Sequence, residues 1–368
     1  MMKNLTLDTR FGGRLATLSR RSRIQRLPAT VSLMLRFCVE NYMQRRDFIA
    51  LLGGVFSWPS LAHAQHKAMP VVGWLGYFSP PANPGELWVH QGLRELGFVE
   101  GQNIISEYRL ADFHHERLPA LAADLVSRKV DLILTTGGGG SALAAKNATS
   151  TIPIVFADVG DPVGFGLVAS LARPGGNLTG FSALVVELTP KRLELLCELV
   201  PQAVAIALLV NNSGSELTKQ HIRITQEAAH AKDIKLAILE ATTEAEIDTA
   251  FASLGQLQPG GLVVAANTFF VGRREQIVAL AARYAVPAIY WDSRFVAAGG
   301  LISYGTDIEA LHRQAGIYAG RILKGEKPAD LPVQQPTIFK LVINLKTTHA
   351  LGLTIPQSIL ARADEVIE

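Results

Sequence analysis

The chain has 368 residues, with 35 Lys or Arg against 32 Asp or Glu, a 48% hydrophobic content and two cysteines. Its positive balance sits at the front: residues 1–64 hold ten basic and three acidic side chains, and the remaining 304 residues hold 25 basic and 29 acidic. A mildly acidic body argues against nucleic acid as a partner, its one cysteine (Cys197) excludes an intrachain disulfide there, and no later apolar run is long enough to span a bilayer.

Residues 1–42 are Arg-rich, as in Arg20-Arg21-Ser22-Arg23, and show little periodicity. They read as an extension ahead of a true start at Met43; a genuine basic arm is the alternative. Residues 43–64 read as an export signal. Arg45-Arg46 is followed by Phe48, the twin-arginine pattern, although the general route stays open. An apolar run from Phe48 to Leu61 follows, and Ala62-His63-Ala64 closes it as an A-x-A site. The mature chain is expected to begin near Gln65 and to be soluble and periplasmic. No Cys follows that site, so no lipid anchor is expected there.

Beyond the signal, short apolar runs alternate with amphipathic segments. Val71–Gly76 reads as a buried strand, and Gly85–Leu96 has helical spacing with Gly97 as its stop. Strand 103–108, helix 116–128, strand 130–135, a helix from Ser141 and strand 153–157 follow. The series then recurs roughly 130 residues later, with strands predicted at 204–210, 234–239, 261–266 and 287–290. Strands separated by helices imply parallel sheets covered on both faces. The fold class expected is α/β, with two Rossmann-like lobes; one large sheet is the alternative. Gly- and Pro-rich segments at 158–182 and 299–305 are candidate crossings between the lobes. A helix over 307–323 and a strand-like run at 339–345 complete the pattern. Lobe 1 is expected to hold 69–181 plus part of 303–368, and lobe 2 to hold 182–302.

Ligands of parallel α/β sheets bind beyond the carboxyl ends of the strands. That rule selects Tyr77-Phe78-Ser79, Thr136 with Gly137–Gly140 and Ser141, and Asp158 in the first half. In the second half it selects Asn211, Asn267-Thr268 and Trp291-Asp292. The glycine run could let backbone N–H groups approach a ligand carboxylate, or be a tight turn with Ser141 as a helix cap. Asp158 or Asp292 could pair with a ligand ammonium, or cap a helix. Asn211 and Asn267 could bond a ligand or only their own turns, and Tyr77 and Phe78 could stack on it or seal the lobe edge.

Other chemistry finds little footing. Gly137-x-Gly139-x-x-Ala142, with Asp158 21 residues on, formally matches a dinucleotide fingerprint, but it follows the third strand of its unit and not the first. An exported nucleotide-cofactor enzyme is therefore the second reading. No metal motif and no G-x-S-x-G elbow occurs. His114-His115 read as a solvated helix start. No enzyme, cofactor or metal is expected.

The segments Val72-Gly73-Trp74-Leu75, Gly92–Asn103, Asp161-Pro162-Val163-Gly164, Arg173–Gly180, Gly299–Gly305 and Leu351–Pro356, in this order, resemble the ABC-transporter substrate-binding proteins of the tryptophan/tyrosine-binding-like group. The resemblance runs from about Met69 to the end. It implies the periplasmic-binding-protein type I fold: two lobes, a hinge, and a small solute closed between them for an inner-membrane permease. The solute implied is an amino acid or a similar molecule, often aromatic, and the receptor is expected to be a monomer. Position by position, it implies ligand contacts at Tyr77, Ser79, Thr136, Gly139, Ser141 and Asp158 in the first lobe. In the second it implies Asn211, Asn267, Tyr290 and Asp292. Four glycines stand where relatives often carry Thr or Ala, which predicts a roomier pocket.

Overall fold

The computed structural model describes residues 69–79, 85–212 and 215–368; the export signal and residues 1–42 lie outside them. The described chain forms two sheets. In the first, strands β1 (Val71–Gly76), β2 (Ile105–Leu110), β3 (Leu132–Thr136), β4 (Ile154–Val159) and β5 (Leu178–Ser182) lie in the order β2-β1-β3-β4-β5, all parallel. Helices α1 (Gly85–Glu95), α2 (Leu118–Ser127) and α3 (Gly139–Ala148) alternate with them. The alternation of side chains along a strand explains the two-sided cover. Val72, Trp74, Leu132 and Leu134 share a core with Val89 and Leu93 of α1. Leu75, Ile133, Ile154 and Phe156 share another with Leu118, Ala122 and Leu125 of α2 and Ala142 and Ala145 of α3.

The second sheet contains β6 (Ala205–Val210), β7 (Lys235–Glu240), β8 (Gly261–Val264), β9 (Ala288–Tyr290), β10 (Ile302–Thr306), β11 (Phe339–Asn344) and β12 (Glu365–Ile367), in the order β12-β11-β10-β9-β8-β6-β7. All its pairings are parallel except β10 with β11. Its helices include α4 (Thr189–Leu199), α5 (Glu216–His230), α6 (Glu244–Leu257), α7 (Thr268–Gly272), α8 (Arg274–Arg283) and α9 (Ser293–Ala297). Helix α10 (Ile308–Leu323) packs on α1 and on the first sheet, although strands of the second sheet precede and follow it. The short helices α11 (Leu345–Ala350) and α12 (Gln357–Leu360) precede β12. No helix among the described residues is long and apolar enough to cross a membrane.

The segments expected to be crossings proved to hold strands. Within 158–182, Leu178–Ser182 pairs with β4; within 299–305, β10 pairs with β9 and β11. The chain passes between the sheets just after each of these strands, and a third time between α10 and β11. The three passages are bonded to one another. Thr306 Oγ1 donates to the Ala183 carbonyl (2.8 Å), Ser182 N–H to Gln334 O (2.8 Å) and Asp307 N–H to Ile338 O (3.1 Å). Strand β2 starts two residues later than expected. The Asn103 side chain closes a turn instead, accepting from Val99 N–H and donating to Gly97 O, both at 2.7 Å.

Arg192 of α4 joins the first of these passages to the strand that leads into the second, from inside. Its guanidinium is 1% exposed and donates to Val185 O (2.8 Å), Tyr304 O (2.9 Å) and Thr189 Oγ1 (3.2 Å). The Thr189 hydroxyl also lies 3.3 Å from Nδ1 of buried His221, within hydrogen-bond reach. Burial, and then the Arg192 charge, hold the His221 pKa down at about 3, against an ordinary 6.5.

Two expectations follow from this packing. An added Cβ at Gly316 of α10 would lie 2.0 Å from Val89 O of α1, whereas one at Gly255 of α6 meets nothing. Gly316→Ala should cost about 1–3 kcal/mol, and Gly255→Ala should add about 0.4–1 kcal/mol; denaturant unfolding measures both, and equal effects would remove the close-approach account of α1 and α10. For His221, the unfolded ring takes its proton near pH 6.5 and the folded ring near 3, so its share of stability is full above pH 6.5 and is lost as pH falls toward 3. His221→Gln should therefore narrow the gap in unfolding free energy between about pH 7 and about pH 4.5. An unchanged gap would show that His221 titrates normally.

Candidate functional site

A cavity of about 220 Å³ lies between the strand tips of the two sheets. The first sheet contributes Gly137–Gly140 after β3, Asp158 and Gly160 at the end of β4, His115 after β2, and Phe165. The second contributes Ala266, Asn267 and Thr268 after β8, Trp291 after β9, and Ser215 and Leu217 at the start of α5. Ala183 and Val185 of the first passage form part of its wall. Asp158 is the one carboxylate among the lining side chains. Its Oδ1 accepts the Gly138 N–H at 3.2 Å, and its Oδ2 lies 3.6 Å from Nε2 of His312, a buried residue of α10. The amino end of α3, where a helix dipole favours an anion, is thus met by a carboxylate of the protein itself.

The glycine run is a turn with a specific purpose at each position. Gly137 and Gly138 have φ of +82° and +84°, which an L side chain rarely adopts. Gly138, and not Ser141, precedes the helix as its cap residue, so α3 begins at Gly139. A Cβ at Gly137 would lie 2.6 Å from Tyr77 Cβ, at Gly138 3.2 Å from Thr268 Cγ2, at Gly139 2.8 Å from the Phe165 ring, and at Gly140 3.1 Å from His115 Nδ1. The expected extra room is therefore taken by four neighbouring side chains, one of them from the second sheet's side.

Of the residues nominated from the sequence, Gly139, Asp158 and Asn267 line the cavity together. Asn267 also caps α7, accepting the Phe269 N–H at 2.9 Å. Tyr77 sits behind the wall, its ring stacked on His115 at 4.1 Å; burial pushes its pKa up to about 12. Ser79 donates to Asp112 Oδ1 at 2.9 Å, and Thr136 is buried beneath the turn. Ser141 is fully buried in α3 with its hydroxyl unpartnered. Asn211 donates to Ala241 O at 3.1 Å. Tyr290 faces away from the cavity's lining and stacks on Phe295 at 4.7 Å. Asp292 caps α9 and pairs with Arg294 at 2.5 Å, which holds its carboxyl below the usual range despite full burial. It borders a second cavity of about 280 Å³ with Trp88, Asp307 and Lys340.

His115, Phe165 and Trp291 are the aromatic rings of the wall. His114-His115 form the exposed start of a short 3-10 helix, as expected; one face of the His115 ring also packs on Tyr77, and loss of hydration there lowers its pKa. It follows the tip of β2, so the strand-end rule reaches it. Nothing local marks Phe165. Two contacts between the sheets' sides flank the cavity: Arg273 lies over the Phe113 ring at 5.4 Å and Arg294 over the Phe78 ring at 5.7 Å. Among the described residues, no group of three or more His, Cys, Asp or Glu is placed to hold a metal ion.

The family model for the ABC transporter substrate binding protein matches residues 88–367. A tyrosine-binding protein of Clostridioides difficile strain R20291 is 32% identical over 266 residues, covering 72% of this chain and 75% of that protein. A conserved domain protein from Vibrio cholerae superposes with a TM-score of 0.75 at 28% identity, covering 81% of this chain and 99% of the other. An ABC domain from Streptococcus pneumonia in complex with L-Trp gives 0.73 at 25% identity with the same coverage. A ligand-free, open substrate-binding protein with adhesive properties from Clostridium difficile gives 0.62 at 29%, again with the same coverage. With two α/β lobes, a cavity at their facing strand tips and a family match over most of its length, the chain belongs to the ABC transporter substrate-binding proteins and has the periplasmic-binding-protein type I fold.

Proposed function

We propose that the chain is the extracytoplasmic solute receptor of an ABC uptake system. It captures a small amino-acid-like solute with an apolar part, such as an aromatic ring, by closing two lobes over it, and it delivers that solute as a monomer to an inner-membrane permease. The observation that carries this reading is the wall itself: one carboxylate, Asp158, among Phe165, Trp291, Val185 and Leu217, with amide and hydroxyl groups at Asn267, Thr268 and Ser215. A solute ammonium would pair with Asp158, and the apolar part would rest on the rings. Export through a leader at 43–64 is part of the proposal.

Closure draws support from the comparisons. The chain is nearer in shape to the L-Trp complex (TM-score 0.73) than to the ligand-free, open structure (0.62), although its sequence is nearer to the latter. The nucleotide-enzyme reading fares worse, because a pyrophosphate at the glycine turn would meet the Asp158 carboxylate that already accepts Gly138 N–H.

The test is a thermal-shift and calorimetric screen of residues 65–368, unfolded and refolded to strip bound solute, against amino acids, amides, small carboxylates, nucleosides and NAD(P). Stabilisation of about 2.7 kcal/mol is expected at a hundredfold excess over Kd of the right solute. Response to NAD(P) alone would overturn the receptor reading. Asp158→Asn should then weaken an amine-bearing solute by about 10- to 100-fold, the worth of a hydrogen bond to a charged group, while leaving the melting temperature of the empty protein within a few degrees. Equal affinity in the variant would remove Asp158 from the site.

A further inference from the structure

Phe165 stands apart from the other wall residues because its place depends on what another position lacks. Its ring atoms Cε1, Cε2 and Cζ lie 2.8–2.9 Å from the point where Gly139 would carry a Cβ. Any side chain at 139 would overlap the ring, since ordinary carbon contacts begin nearer 3.5 Å. The ring is also held from its base. Gly164 N–H donates to Asp161 Oδ1 at 2.8 Å, Phe165 N–H to Asp161 O at 3.0 Å, and Gly166 N–H to Val163 O at 2.8 Å. Lys146 of α3 bonds the Gly166 carbonyl, which ties this turn back to the helix whose first residue is Gly139. The ring packs partly on the core between α2 and α3 and partly faces the cavity.

We propose that Phe165 is a specificity-determining residue: its ring, admitted by the missing side chain at Gly139, forms the wall that limits how large a solute the cavity accepts. This rests on the receptor reading above and adds to it the residue pair that sets solute size. Because the ring is anchored in a turn outside the parallel strands, trimming it changes the volume of the cavity without touching Asp158 or the glycine backbone.

A double-mutant cycle on the full mature chain tests this, using Phe165→Ala, Gly139→Ala and the pair together. Calorimetry would follow the series L-Ala, L-Val, L-Leu, L-Phe, L-Tyr and L-Trp. Phe165→Ala should shift relative affinity toward the bulkier members by about tenfold. Gly139→Ala should weaken binding by about tenfold while Phe165 is present and by much less once it is gone, as for residues in direct contact. Melting curves confirm that each variant folds, and Phe165→Leu, which keeps an apolar anchor, serves if Phe165→Ala does not. Binding by the wild type with unchanged size preference in the Phe165 variants, or with strictly additive effects, overturns this inference and leaves the receptor reading intact. Failure of the wild type to bind any member of the series overturns the amino-acid reading and this inference with it.

Discussion

A single buried cation organises the junction on which the two lobes depend. The Arg192 guanidinium has given up its water and found carbonyl oxygens of Val185, in the first passage between the sheets, and of Tyr304, in the strand that leads into the second. Desolvation lowers its pKa to about 9, so it still carries its charge at neutral pH. Burying an ion costs several kcal/mol, which only well-placed acceptors offset, so the passage and the strand are held where those acceptors must be. The hydroxyl of Thr189 extends the arrangement to His221, where burial and the Arg192 charge favour the neutral ring. Further bonds from Thr306 to Ala183 and from Ser182 to Gln334 bring all three passages into one ribbon.

The cavity follows from where such a junction leaves the strand tips. Parallel strands end with their loops at one edge, and the two edges face each other across the glycine turn. Four positions without side chains accept Tyr77, Thr268, Phe165 and His115 at close range. The helix amino end then meets Asp158, so the site carries a negative charge where the turn alone would favour an anion. The character of the wall is thus set by side chains that lie far apart in sequence.

This explains how far the sequence could be read. Runs such as Val-Asp-Leu-Ile-Leu-Thr and Val-Ala-Ile-Ala-Leu-Leu-Val declare themselves because both faces of their strands are buried. Strands β5 and β10 do not, because they are rich in Gly, Ser and Thr, and their threonine hydroxyls are bonded to carbonyls far away in sequence. Thr179 Oγ1 donates to Leu331 O, 152 positions away, and Thr306 Oγ1 to Ala183 O, 123 away. The strand-end rule found Gly137–Gly140, Asp158, Asn267, Thr268 and Trp291. It could not choose between neighbours on one strand, where successive side chains point to opposite faces: Trp291 reached the cavity, while Tyr290 and Asp292 turned to the stack on Phe295 and the pair with Arg294. Phe165 was hidden for a different reason, since its position depends on an absence at Gly139.

Helix α10 has a consequence for the order in which the molecule is made. It closes the face of α1 where Gly92 and Gly316 allow the two backbones to touch, and Arg313 pairs with Glu95 across 218 positions of sequence. At common synthesis rates, roughly 10–40 s separate the emergence of these two partners. During that interval Val89 and Leu93 belong to an unfinished core, and the first sheet waits for a segment that arrives after most of the second. The lobe that begins the body of the chain is therefore completed near its end, and the apolar face of α1 waits for its cover until α10 has been synthesised.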